Sequence, residues 1–179
     1  MKIVSILGSG SADSLTRHGV LVVADQVRAA GLEFGLIDLR EDYRSLHDVT
    51  EYAAPPEGSQ TARLRAGLAN ASGVILATPV YHGTFSGLLK NALDHLTVEA
   101  FVQMPVGLLA AGGGARGAAV ACDQMRTVVR ALNGWSTPTH VSLTNDDVTE
   151  AGPTDDLRQR VADMVSELKD FAMARAHRA

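Results

Sequence analysis

Five strand-length segments recur along the chain, at 3–7, 33–39, 73–77, 105–111 and 135–143, and segments of helical period separate them. Unbroken apolar runs of strand length predict strands buried on both faces, as in a parallel sheet. The fifth run differs, because Pro138 and several threonines mark it as an edge. Helical period appears first at 15–30, with apolar positions at 15, 19, 20, 22, 23, 27 and 30. Asp13 or Ser14 suits its N-cap and Gly31 its C′ position. Further helices are expected at 61–70 (weakly patterned), 88–96 and 116–132, the last stopped by Asn133-Gly134. Pro153-Thr154-Asp155-Asp156 opens a final helix whose end carries Arg175, His177 and Arg178, cations that suit the dipole there.

Strand and helix thus alternate throughout, which predicts an α/β three-layer sandwich with a five-stranded parallel sheet. Right-handed crossovers favour the order 2-1-3-4-5, with a switch point between strands 1 and 3. The loops after strands 1, 3 and 4 then end side by side at one sheet edge. Ligands of open α/β sheets bind at that edge. The stretch 40–59, with Pro55-Pro56 and Gly58, is the one long connection.

Composition narrows the possibilities. A chain of 179 residues, 46% hydrophobic and 20% charged, fits a single domain spanning 1–179. A net charge of −4 with no basic stripe argues against nucleic acid as a partner. The apolar runs are too short to cross a membrane. Met1-Lys2 leads directly into the first strand, leaving no room for a signal peptide, so a cytoplasmic location is expected. The single cysteine excludes an internal disulfide and a cysteine-only zinc site. Cys122, among Ala119, Val120 and Met125, reads as an inert buried thiol. His18, His47, His95 and His140 are scattered without metal-ligand spacing, so no metal site is expected.

The three loops carry the candidate chemistry. Loop one offers Ser9, Ser11, Ser14, Leu15 and Thr16 at a helix N-terminus. Unpaired N–H groups and hydroxyls there suit a monophosphate, though a Ser-rich cap without a ligand has the same composition. No lysine is present, so this is no Walker A loop, and the third glycine of a dinucleotide fingerprint is missing. Loop two begins Thr78-Pro79-Val80-Tyr81-His82-Gly83 and runs to Asn91. It holds no acidic residue. Pro79 fixes φ, Gly83 and Gly87 permit close approach, and Tyr81 either faces an aromatic ligand or packs on the protein. His82 reads as a solvated loop histidine. Loop three contains Gly112, Gly113 and Gly114, which let backbone donors reach the polar edge of a flat ring or simply form a turn. Together the loops favour a ligand with a phosphate at one end and a flat ring at the other.

Leu7-Gly8-Ser9 with Ser14 and Thr16, Thr78-Pro79-Val80-Tyr81, the block Ser86-Gly87-Leu88-Leu89-Lys90-Asn91-Ala92-Leu93-Asp94, and Gly112-Gly113 resemble the NADPH-dependent FMN reductase family. The spacing is most similar to the alkanesulfonate-system NAD(P)H:FMN reductases, which the run 128–134 and the Asn145-Asp146 region also resemble. The resemblance implies a flavodoxin-like fold, FMN as cofactor and NADPH or NADH as hydride donor. It implies FMN phosphate at Ser9, Ser11, Ser14, Leu15 and Thr16, and ribityl and ring contacts at Pro79, Val80, Tyr81 and His82, with Thr78 and Gly83 in the same loop. Gly112 to Gly114 would border the ring. It further implies a homodimer or homotetramer, for which the apolar fourth helix is one candidate interface, and a partner monooxygenase that consumes reduced flavin. Many relatives carry arginines where this chain has Ser11 and Leu15, leaving Arg17 or Arg116 to substitute.

With a flavin bound, no catalytic side chain is expected, because the cofactor supplies the redox chemistry. Two other readings stay open at this stage. One is a flavodoxin-type electron carrier, disfavoured by the mild charge and by 4% aromatic residues. The other is a regulatory binding module of the same fold. NAD(P)H:quinone or azo reduction is the alternative within the enzyme class.

Overall fold

The computed structural model of the chain describes residues 1–41 and 43–176. His177 and Arg178, read above as helix-end cations, lie outside the described residues. The main strands are β1 (Lys2–Leu7), β2 (Glu33–Asp38), β3 (Gly73–Tyr81), β4 (Pro105–Ala111) and β5 (Trp135–Leu143). They are parallel, in the order β2-β1-β3-β4-β5. The flavodoxin-like order expected from the alternation is therefore present. Helices α1 (Leu15–Ala29) and α5 (Asp155–Ala176) cover one face. Helices α2 (Gln60–Leu68), α3 (Gly87–Asp94) and α4 (Ala115–Ala131) cover the other.

The period of two explains how the strands serve both layers. Ile3 and Leu7 of β1 join the cluster under α1 and α5, while Val4 and Ile6 join the cluster under α2 to α4. On α4, Ala118, Cys122, Met125 and Val129 are fully buried, so its apolar stripe packs on its own sheet. Val120 is the large apolar residue of that helix that stays exposed.

The expected five-stranded count needs a correction. The sheet has six strands, because Thr84–Phe85 pairs antiparallel with the end of β3. The stretch Thr78–Tyr81, read as loop, is strand. Pairing with β4 ends at Pro79↔Ala111, and β3 then overshoots its neighbours. The overshoot finds its partners locally, as Val80↔Phe85 and Tyr81↔Thr84. The turn between them is His82-Gly83, with φ of 52° and 82°. Two successive positive φ values define the type I′ hairpin turn, whose twist matches that of the strands. The apolar run ends at Ala77, which put Pro79 in the loop and hid this extension.

At the edge, β5 bulges, with a register shift opposite Val106 to Leu108. Arg126 donates to the carbonyls of Thr137 (2.6 Å) and Pro138 (2.8 Å), and Glu167 accepts from the Thr139 amide at 2.9 Å. Side chains thus occupy an edge that would otherwise invite pairing.

One buried bridge fixes the sheet edge. Ser86, 2% exposed, caps α3 by accepting from the Leu89 amide at 3.1 Å. Its hydroxyl donates to the Gly8 carbonyl at 2.6 Å, and its own amide donates to Thr78 Oγ1 at 2.9 Å. Replacing Ser86 by Ala removes a cap and leaves the Gly8 carbonyl unpaired, a loss of about 1–3 kcal/mol. A drop of several degrees in the thermal midpoint, followed by circular dichroism, is the expected result, and an unchanged midpoint contradicts the bridge.

Candidate functional site

Loop one leaves β1 at Gly8 and enters α1 at Leu15. Ser9 is 1% exposed, and its hydroxyl accepts from the Ser11 amide at 3.3 Å. Ser11 in turn donates to the Asp13 carbonyl at 2.5 Å. Ser14 is the N-cap and accepts from the Arg17 amide at 3.2 Å. Leu15 is half-buried. Thr16 is 1% exposed, and its hydroxyl has no partner. A buried hydroxyl without a partner is costly and calls for one. Helix N-termini also leave their first N–H groups unpaired, and no acid stands in the first turn of α1. This donor set fits a phosphate monoester.

Loop two divides. Thr78 and Pro79 are buried. The Thr78 hydroxyl is committed, accepting from Ser86 and donating to the Pro79 carbonyl at 2.9 Å. Its place is in the frame of the wall. Val80 is half-buried, while Tyr81, His82 and Gly83 are exposed, Tyr81 by 53%. The Tyr81 ring is therefore largely in the open, not packed into the core.

Loop three closes on loop two through Gly112. A Cβ at Gly112 would come within 3.1 Å of Val80 Cβ and Cγ2, so glycine allows this approach without displacing Val80. The Gly112 amide donates to the Leu143 carbonyl at 3.0 Å. Gly113 and Gly114 face open space. Gly114 caps α4 without a side-chain bond, and no acid stands in the first turn. The structure thus brings all three loops together, the first two through Gly8, Thr78 and Ser86, and the last two through Val80 and Gly112.

Of the two arginines expected to substitute, Arg17 is committed. It meets Asp38 at the end of β2 at 2.6 Å, with both side chains mostly buried. Arg116 is exposed and has no ion pair among the described residues.

Sequence reasoning missed a buried polar network that ties the 40–59 connection to α2 and α3. Gln60 accepts from the Ser45 amide at 2.9 Å and donates to the Ser45 carbonyl at 3.0 Å. The same amide group lies 2.8 Å from His95 Nε2. Because that amide is oriented by Ser45, Nε2 accepts and Nδ1 carries the proton. Nδ1 then donates to Thr61 Oγ1 at 2.6 Å, and Thr61 donates to Glu51. Asn91 adds bonds to the Ser45 carbonyl (2.8 Å) and the His47 amide (3.0 Å). His47 and His95 meet edge to face at 5.2 Å. The only sequence signal was polar residues at helical positions that face inward. Thr61 and His95 are buried, so the network anchors the connection and offers no reactive group to solvent.

A cavity of about 350 Å³ is lined by Leu96, Val102, Met104, Arg65 and Arg175, near the start of β4 and so at the opposite sheet edge. The donor loops, not that cavity, carry the candidate chemistry. No group of three or more His, Cys, Asp or Glu among the described residues is placed to hold a metal ion. No described helix is long and apolar enough to cross a membrane.

A parallel sheet with convergent donor loops at its switch point is the arrangement in which open α/β folds bind ligands. The comparisons give that arrangement a family. The model for NADPH-dependent FMN reductase matches residues 1–148. An NADPH azoreductase of Bacillus sp. (strain OY1-2) is 32% identical over 171 residues, covering 96% of this chain and 92% of that one. The FMN-dependent NADPH-azoreductase of Staphylococcus aureus is 31% identical over 151 residues, covering 82% and 79%. Among solved structures, the NAD(P)H:acceptor oxidoreductase FerB of Paracoccus denitrificans superposes with a TM-score of 0.77 at 20% identity, covering 95% of this chain and 98% of that one. An NADH:FMN oxidoreductase, in its apo form, gives 0.73 at 22% identity, covering 97% and 89%. The chain belongs to the NADPH-dependent FMN reductase family. It is accordingly an oxidoreductase of the flavin class, with FMN and a nicotinamide nucleotide as cofactors.

Thiol chemistry is absent from the site. Cys122 is fully buried, and burial pushes its pKa up to about 12. Iodoacetamide at pH 8 is expected to leave Cys122 intact in the native protein and to alkylate it in denaturant. Mass spectrometry distinguishes the two, and rapid native labelling contradicts the burial.

Proposed function

We propose that this protein takes hydride from NADPH or NADH onto FMN held in the three-loop crevice and passes the electrons to a small acceptor. The observation that carries this reading is the buried, unpartnered Thr16 hydroxyl beside the free N–H groups of α1. In the proposal, Ser9, Ser11, Ser14, Leu15 and Thr16 surround the terminal phosphate. Pro79, Val80, Tyr81, His82 and Gly83 run along the ribityl chain and ring, with Thr78 holding them. Gly112, Gly113 and Gly114 present backbone to the ring edge. When bound, the flavin supplies the hydride-accepting ring. The chain's own work is to bind the phosphate, to orient the ring against Tyr81 and the glycines, and to leave one ring face open.

Free reduced flavin for a partner monooxygenase is one fate of the electrons, suggested by the motifs. The two relatives, both azoreductases, favour a second, direct reduction of azo compounds. We place this activity in the cytoplasm, in a homodimer or homotetramer, which sedimentation at micromolar concentration tests. A flavodoxin-type carrier is disfavoured, since such carriers tend to be strongly acidic and this chain carries −4.

Loss of absorbance at 340 nm is expected when protein, FMN and NADPH or NADH are mixed. No loss with either nucleotide sinks the proposal. Thr16→Val is the sharper probe, because it keeps the shape and removes only the hydroxyl. Its expected signature is weaker FMN binding by about tenfold, from one lost phosphate contact, with the FMN-free protein as stable as before or slightly more so. Equal FMN affinity in the two proteins, measured by flavin fluorescence, would falsify the role of Thr16.

A further inference from the structure

Each helix that follows a crevice loop carries one lysine or arginine in its first turn. These are Arg17 on α1, Lys90 on α3 and Arg116 on α4. Two are neutralised. Arg17 meets Asp38 at 2.6 Å, and Lys90 meets both Asp94 oxygens at 2.6 and 2.7 Å. Arg116 is exposed and has no ion pair or hydrogen bond among the described residues. Its surroundings add to the imbalance. Gly114 caps α4 without a side-chain acceptor, and the first turn holds no acid. A Cβ on Gly113, Gly114 or Gly117 would meet nothing within 4 Å, so the approach is unobstructed.

The Arg116 guanidinium offers five donors in a planar fork, which match the geometry of a phosphate. The loop-one end of the crevice already has its own donors for the FMN phosphate. Arg116 instead follows Gly112 to Gly114, the glycines proposed to border the ring. A nicotinamide nucleotide stacked on the flavin there would need a cationic partner for its phosphates near those glycines.

We infer that Arg116 seats a phosphate oxyanion of the incoming nicotinamide nucleotide and so sets its affinity. This rests on the flavin reading above. The oxyanion is either the diphosphate shared by NADH and NADPH or the 2′-phosphate of NADPH alone. Arg116 is a binding residue for the donor and takes no part in the transfer itself, so its effect falls on KM and not on kcat.

The test compares FMN-saturated wild type, Arg116→Ala and Arg116→Lys, with Arg130→Ala, at the exposed end of the same helix, as control. For Arg116→Ala, KM is expected to rise about tenfold, the scale of one charged contact, with kcat and FMN affinity held within about twofold. Lysine restores part of the loss, because it keeps the charge without the fork. A rise for both nucleotides identifies the diphosphate, and a rise for NADPH alone identifies the 2′-phosphate. Raised salt weakens wild-type binding more than that of Arg116→Ala. The inference fails if KM is unchanged for both nucleotides, if Arg130→Ala has the same effect, or if FMN affinity falls instead. Should the protein bind no FMN, the flavin reading fails first. Calorimetric titration of the FMN-free protein with NADP⁺ then still decides: weaker binding by Arg116→Ala keeps the inference, and equal binding ends it.

Discussion

The architecture of the crevice depends on one close contact. A Cβ at Gly8 would stand 2.8 Å from Leu89 Cβ and 3.1 Å from the Ala77 carbonyl oxygen. Only glycine fits there. Its carbonyl takes the Ser86 hydroxyl, and its amide donates to Ala77 at 2.7 Å. The end of β1 is thereby clamped between the end of β3 and the start of α3. Without that clamp, loops one and two would share an edge of the sheet but not a defined distance. Val80 against Gly112 extends the same close fit to loop three. Glycine at two places thus turns three neighbouring loops into one surface.

That surface contains little conventional catalytic apparatus. Its hydroxyls are short, its backbone amides are fixed, and no carboxylate lines it beyond the exposed Asp13. Such a site is suited to holding a cofactor in place, and poorly suited to proton transfer. Family membership agrees with this chemistry. Arg17 and Lys90 are balanced by Asp38 and Asp94, which leaves the helix ends and Arg116, without an ion pair among the described residues, to set the potential around the groove.

Much of the frame was legible in the sequence, and for a physical reason. Strands buried on both faces admit almost no polar residue, so the runs at 3–7, 73–77 and 105–111 stood out. The cap Ser14 and the positive-φ Gly31 were readable because local geometry dictates those residue types. Errors arose where partners were distant or supplied locally by the fold. The apolar run ends at Ala77, yet β3 continues through Pro79 to Tyr81 because the hairpin supplies new pairing. The His95 network was invisible because Gln60, Ser45 and Glu51 are gathered by the fold and not by spacing. The three loops were found from composition, but which hydroxyls are already committed, as in Thr78, and which are free, as in Thr16, needed coordinates.

The hairpin at the tip of β3 has a consequence for how this wall can vary in length. Its turn has two residues, one of them His82 in a backbone region that side chains rarely adopt. One residue added there would replace the two-residue turn and shift Thr84 and Phe85 against Tyr81 and Val80. The wall is therefore closed to insertion. The 40–59 connection is held by side chains at a few points and not by a ladder, so extra residues between those points leave the anchors in place. Length variation in this protein is tolerated on one side of the crevice and barred on the other.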